Sequence, residues 1–469
     1  MRVFWKYLSR SWYRLSLVAI FSFSLALRFW NLGQFNELVF DEVYYAKFGN
    51  DYLTNTHFFN SHPPLSQYII AFGIWLGSFF PAPAEMVNNL TGSIHSTLSY
   101  RWINALSGSF VAPLSAILAL KMTLRRSYSI IVSLLFSLDG LFLVESRYAL
   151  NNIYIVIFGL LGNLLFLIYL SKHSLPIKYL ILSGVFFGAA ACVKWNGLWF
   201  FLGICLMIIL GFLVSFWQYP GHIKMSNKLL KPSFINNISS NFSAYPLNNL
   251  TLLNPLYHLV IVTVTAAITY SILWIPHLKM NPEYDFWEMQ YQILTYHESI
   301  KSGPNVHPYC STWYSWILML RPIAYYYKES NGIIHDVHSI ANPIVLWLSS
   351  IAVLALLIWL LLSRKSIYLP NYWICAYIVV NYLANLLPWM KVTRCIFFYH
   401  YIEAYTFSIL ALAWFIDGWL CNKRLIFKFA GVLSLILIIG AFIFWLPIYI
   451  GSPLSQQDFK LRMLLESWI

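Results

Sequence analysis

Apolar runs of about 20 residues, the length needed to cross a lipid bilayer, recur from one end of this chain to the other. They lie at residues 13–30, 102–120, 127–145, 151–170, 178–193, 195–217, 256–275, 342–362, 370–388, 396–419 and 425–447. A water-soluble fold has too little interior to hide them. Only 10% of the 469 residues are charged, against roughly 25% in soluble domains. In lipid every backbone polar group needs an internal partner, so apolar runs of this length become helices. The expectation is an all-α membrane protein, one polytopic domain over 1–469 with about eleven spans. The shorter apolar segment 65–80, between His62-Pro63-Pro64 and Pro81, reads as an interfacial helix lying on the membrane. The first run ends in Leu27-Arg28-Phe29-Trp30 rather than in small residues, so it reads as a retained span with an aromatic anchor.

The net charge of +13 does not indicate nucleic acid, because the cations form no single patch. They fall in short clusters between spans: Arg2 to Arg14, Lys121 to Arg126, Lys172 and Lys178, Lys224 to Lys231, Arg364 and Lys365, and Lys423 to Lys428. With the N-terminus inside, all of these clusters are cytoplasmic, as the positive-inside rule requires. Two long outer loops result, 31–101 and 276–341, and most carboxylates gather on that outer side. The inner loop 218–255 carries Asn-x-Ser/Thr sequons at Asn237, Asn241 and Asn249, and Asn89 stands outside; they read as chance in Asn-rich loops. The six cysteines show no metal or disulfide spacing and read as buried small hydrophobes. No phosphate-binding glycine loop occurs, so a cytoplasmic nucleotide donor is not expected.

The polar residues that stand out are at outer helix ends. Asp41 and Glu42 follow the first span in Phe40-Asp41-Glu42. Neighbouring residues point apart in helix and strand alike, so one carboxylate would face a site while the other orients or binds. Arg101, Arg147, Lys194 and Arg394 sit at membrane depth on the same side. Four cations opposite carboxylates suit an anionic lipid headgroup, phosphate above all. His62, His307, Tyr309 and His400 stand in aromatic-rich outer segments whose rings suit a sugar or a wet interface.

In order along nearly the whole chain, Phe40-Asp41-Glu42, His62-Pro63-Pro64-Leu65, Arg101 with Ala105 and Gly108, Val193-Lys194-Trp195-Asn196-Gly197, His307-Pro308-Tyr309-Cys310-Ser311, Arg321-Pro322, and Pro388-Trp389 with Arg394 and Tyr399-His400-Tyr401 resemble the protein O-mannosyltransferases. The resemblance implies a GT-C glycosyltransferase bundle that moves mannose from a polyprenyl-phosphate carrier to Ser or Thr of exported proteins, in a bacterial cytoplasmic membrane with its active site outward. It maps the family's acidic pair onto Asp41 and Glu42 and its arginine onto Arg101. Asn152 stands where relatives often carry an acid, and the extra sugar-binding-like domain of eukaryotic members is absent. In this reading Asp41 is the general base and Glu42 positions the acceptor or Arg101. Arg101, Arg147, Lys194 and Arg394 meet the donor phosphate. His62, Asn152, His307, Tyr309 and His400 contact sugar or acceptor. No metal ligand cluster has convincing spacing, so no metal is assigned, although a divalent ion stays open. A lipid or glycan acceptor, or a transporter or flippase, are the alternative readings; unrepeated spans with charge at one face argue against the last.

Overall fold

The computed structural model describes residues 2–218, 242–363 and 369–469; Asn237 and Asn241, and the cations Lys224, Lys228, Lys231, Arg364 and Lys365, lie outside them. Helix α1 (Arg2–Phe29) enters a loop and two short helices, α2 (Glu42–Thr54) and α3 (Leu65–Gly77). Then come α4 (Thr97–Ser109), α5 (Val111–Thr123), α6 (Arg126–Ser137), α7 (Gly140–Arg147), α8 (Asn152–Leu170), α9 (Ile177–Val193) and α10 (Leu198–Gln218). After these follow α11 (Pro255–Met280), α12 (Phe286–Ser299), α13 (Pro343–Leu362), α14 (Pro370–Leu386), α15 (Ile402–Leu420), α16 (Leu425–Ile450) and α17 (Gln456–Arg462). Among the described residues eight helical stretches are long and apolar enough to cross a membrane, or nine with the bent pair α6–α7. Helix α9, with 17 residues, and α15, which carries Glu403 and Asp417, occupy the other two expected positions.

Small residues let two of the helices approach closely. On α9, Gly184 and Gly188 face α11 so closely that a Cβ on Gly188 would stand 2.4 Å from the Ala266 carbonyl oxygen. This is the small-xxx-small spacing by which membrane helices approach without a hydrophobic drive between them. The α6–α7 bend of 57° is held by Asp139. Its carboxylate accepts from the Leu141 and Phe142 amides of α7, the Asn342 amide before α13 and the Tyr405 hydroxyl of α15. A carboxylate inside a span is thereby given structural partners.

The two ends of the bundle differ chemically. At one end Arg125 pairs with Asp417 at 2.5 Å and Arg126 lies over Tyr13. The opposite end is roofed by α2, α3, α12 and a small sheet. Segment 65–80 is the helix α3, which buries Ile70 and Ile74 and exposes Phe72 and Trp75. The 31–101 segment holds a short antiparallel pair, β1 (Val87–Asn88) and β2 (His95–Ser96), and residues 276–341, expected as an outer loop, contain a hairpin, β3 (Ile323–Ser330) and β4 (Ile333–Ser339). Asn331 and Gly332 both have positive φ, 52° and 75°, as a two-residue type I′ turn demands. A third strand (Pro453–Ser455) pairs with β4 from the C-terminal segment, and Trp468 buries its ring there with its Nε1 donating to the Met319 carbonyl.

Two cysteines correct the sequence reading. Cys310 and Cys395, 85 residues apart, form a disulfide beside the bridge joining Ser311 to Ile396. Only the fold brings them together. Cys192 and Cys375 are buried as expected, but Cys421 is exposed. Asn249 is buried, its amide donating to the Leu170 carbonyl, which leaves it unavailable to a glycan.

Candidate active site

The acidic pair divides in two. Phe40 adopts a left-handed φ of 53°, a conformation rare for a bulky residue and found where surroundings enforce it. Its ring is clamped flat on Tyr325 at 4.1 Å. Tyr325 is the extra residue of a bulge, since Ala324 pairs with His338 and Tyr326 with Val337; a bulge re-aims a side chain out of register. The turn sends Glu42 inward and leaves Asp41 as the residue just before α2, at its N-cap position. Glu42 is fully buried. It accepts from Arg101 Nε at 2.9 Å and Nη2 at 2.7 Å, and from the Val39 and Ala149 amides. Asp41 is half-buried, makes no cap bond to its own helix and joins no ion pair among the described residues. Desolvation raises its carboxyl to about 6, against the opposing pull of the Lys194 ammonium.

A cavity of about 850 Å³ holds Lys194, the cation that acts on Asp41, but not Asp41 itself, in its lining. Its lower walls are apolar, with Ala191, Leu198, Phe201 and Ala266 from α9, α10 and α11. Its upper part carries Lys194, Arg394, His62 and His297. Lys194 occupies the break between α9 and α10, its Nζ 3.5 Å from Asn152 Oδ1 and over the Tyr399 ring. Burial and the nearby Arg394 lower its ammonium, while Asp41, Glu403 and Glu145 support the charge. Arg394 is half-buried, with its Nη1 on the Cys395 carbonyl. Burial, aided by neighbouring cations, pushes the His297 imidazole down to about 4 and His62 well below its usual value. Both rings are neutral hydrogen-bonding groups at neutral pH, not cations.

Of the four cations expected at a phosphate, Lys194 and Arg394 reach the cavity and two do not. Arg101 has five N–H groups and all five are engaged, by Glu42 and by the carbonyls of Leu32, Phe35 and Glu37. Arg147 donates to the carbonyls of Leu27, Arg28 and Trp30 at the end of α1, where a cation offsets the helix dipole. Both are structural locks on the loop that presents Asp41. Of the residues expected at sugar or acceptor, His62 lines the cavity. Asn152 sits behind it, bridging Lys194 to Glu145. His400 is buried between Tyr399 and Trp389. His307 and Tyr309 lie outside the cavity lining, with Tyr309 under Arg321.

Two buried carboxylates belong to the site and were not singled out. Glu145 takes hydrogen bonds from Asn152 at 2.9 Å and from Tyr325. Glu403 takes one from Asn196 at 2.5 Å. An acid inside an apolar run is a signal readable from sequence, and Glu403 in the run 396–419 carried it. Among the described residues no three His, Cys, Asp or Glu side chains converge on a metal-sized point.

A cavity that is cationic above and greasy below, with an unpaired carboxylate in electrostatic reach of its lysine, is suited to a substrate with an anionic head and a hydrocarbon tail. The fold is the GT-C fold of membrane glycosyltransferases. It matches an S. cerevisiae protein O-mannosyltransferase complex bound to its sugar donor, with a TM-score of 0.77 at 14% identity over 97% of this chain and 92% of that one. It also matches an archaeal oligosaccharyltransferase from Archaeoglobus fulgidus, with a TM-score of 0.53 at 12% identity over 97% of this chain and 56% of that one. Residues 18–270 match the family model described as dolichyl-phosphate-mannose-protein mannosyltransferase, and residues 282–468 match the C-terminal four-helix region of protein O-mannosyltransferase. The chain belongs to the protein O-mannosyltransferase family. A polyprenol-phosphate-mannose–protein mannosyltransferase of Mycolicibacterium smegmatis is 23% identical over 94% of this chain and 90% of its own length.

Proposed function

We propose that this enzyme transfers mannose from a polyprenyl-phosphate carrier to Ser or Thr hydroxyls of exported proteins, with inversion, at the outer face of a bacterial cytoplasmic membrane. The observation that carries this reading is the division of the acidic pair: Glu42 is locked on Arg101 while Asp41 is left unpaired within electrostatic reach of Lys194 in the cavity lining. The polyprenyl tail lies along the apolar walls, and the phosphate meets Lys194 and Arg394. Phosphate leaves without needing a proton, so a single carboxylate suffices, unlike the two of glycoside hydrolysis. Asp41 takes the proton from the acceptor hydroxyl, whose oxygen attacks the anomeric carbon as the bond to phosphate breaks. One displacement inverts that carbon. Lys194 and Arg394 hold the charge that grows on the leaving phosphate, in a site where little water screens them. The phosphate in turn restores the charge that burial weakens on Lys194.

The test supplies purified enzyme with labelled polyprenyl-phosphate mannose and a Ser/Thr-rich peptide. The expected product is O-mannosyl peptide, formed by the wild type and not by Asp41→Asn. Label appearing in a lipid or glycan when no peptide is added would replace the acceptor assignment; uptake into vesicles without covalent product would end the reading.

A further inference from the structure

We infer that the Asn196 carboxamide, oriented by Glu403, reads a hydroxyl of the donor sugar and is a determinant of which sugar the enzyme accepts. The inference rests on the proposed lipid-phosphate sugar donor and adds the residue that distinguishes one sugar from another. Asn196 lines the cavity two residues after Lys194, in the 3-10 turn that opens α10. It is only 6% exposed. Its Nδ2 donates to Glu403 Oε1 at 2.5 Å. In this bond the amide nitrogen is the donor, so the amide oxygen has to find its partner elsewhere. The Oδ1 that remains is buried and has no hydrogen-bond partner among the described residues. Leaving such an acceptor unpaired is unfavourable, and native interiors avoid it unless a ligand or water completes the bond.

The same cavity offers a donor in the same condition. Trp389, 4% exposed, lines it, and its Nε1 has no partner among the described residues. An unpaired acceptor and an unpaired donor in one cavity lining, which also holds the cation that meets phosphate, match the hydroxyls of a glycosyl phosphate. Neither matches its hydrocarbon tail, which needs no hydrogen bond. Glu403 is a positioning residue here: it acts through Asn196. A site built to bond a hydroxyl rejects the analogue lacking it far more strongly than an apolar pocket rejects a missing methylene.

The experiment measures kcat/KM for polyprenyl-phosphate mannose and for its monodeoxy analogues, each lacking one ring hydroxyl, with wild type, Asn196→Ala and Glu403→Gln. Binding of sugar-free polyprenyl phosphate is measured alongside. In the wild type we expect loss of one particular hydroxyl to lower kcat/KM by about 10- to 100-fold. Both variants should lose activity on the full donor, treat that deoxy analogue and the full donor nearly alike, and bind polyprenyl phosphate as the wild type does. If both variants keep the wild-type deoxy profile, or both lose polyprenyl-phosphate binding, Asn196 does not read the sugar and the inference is overturned. A wild type that transfers no mannose from the full donor would instead refute the proposed function itself.

Discussion

At the scale of single residues, the carboxyl of Asp41 separates function from stability. Its value of about 6 in the fold lies above the roughly 3.9 of an unfolded chain. Between those values the folded state binds more protons, so ionising Asp41 lowers stability as pH rises from about 4 through 6. Asp41→Asn should therefore leave the thermal midpoint unchanged or raise it while abolishing transfer. A midpoint well below wild type would mean that Asp41 holds the fold. Catalysis runs the other way: a base must be deprotonated, so kcat/KM for peptide should climb about tenfold per pH unit below 6 and level off above it. A flat profile from pH 5 to 7 would remove Asp41 from the chemistry. The arginines provide a second contrast. Removing one partner of a buried pair costs roughly 3–5 kcal/mol, so Arg101→Ala should be read in lost folded protein. Arg394→Ala, at the half-buried cavity wall, should leave the midpoint near wild type and raise the donor KM about tenfold or more. The reverse assignment of those two effects would restore Arg101 to the phosphate.

At the scale of elements, the disulfide joins the segment before β3 to the chain entering α15, and Cys395 directly follows Arg394. Cys395 also donates its amide to the Lys301 carbonyl, so the bond anchors the strip that carries the cation. A disulfide typically contributes about 2–4 kcal/mol. Replacing Cys310 and Cys395 together by serine should lower the thermal midpoint and raise donor KM more than it lowers kcat; unchanged KM would show that the strip is held without it. This link was not legible, because pairing among cysteines cannot be deduced from spacing. The hairpin was legible in principle, since Asn331-Gly332 lies between two runs rich in β-branched and aromatic residues. Lys194 and Arg394 stood out as cations at the ends of apolar runs. Arg101 and Arg147 gave the same signal, and sequence alone does not tell a guanidinium aimed at a ligand from one aimed at carbonyls. That difference is set by where the 31–41 loop folds back. Glu403 was readable and was masked by its aromatic neighbours, whose bulk made the segment resemble an ordinary span. Gly184 and Gly188 depend on the third dimension as well: their meaning appears only where α9 meets α11. Gly188→Leu should part those helices and reduce folded protein, because the Ala266 backbone cannot yield to a side chain.

At the scale of the whole molecule, the proposed function requires the cavity end to face outward, where exported proteins would arrive. The opposite end carries Lys121, Arg125, Arg126, Lys423 and Arg424, short-loop cations that the positive-inside rule assigns to the cytoplasm. Nature has placed a reporter there. Cys421 is exposed at the end of α15, two residues before Lys423. Cys192 and Cys375 are buried, Cys205 is partly covered on α10, and Cys310 and Cys395 are joined to each other. A membrane-impermeant maleimide should therefore leave the protein unlabelled in intact spheroplasts and label it in inverted vesicles, with Cys421→Ser removing the label. Trp287→Cys on α12, where the native ring is 76% exposed, should show the opposite pattern. Three helices, α13, α14 and α15, separate these two positions, so opposite labelling requires an odd number of crossings among them, and the paired result tests the parity of the spans as well as the direction. Labelling of both positions from the same side would remove one crossing and, with it, the outward acid on which transfer to exported proteins depends.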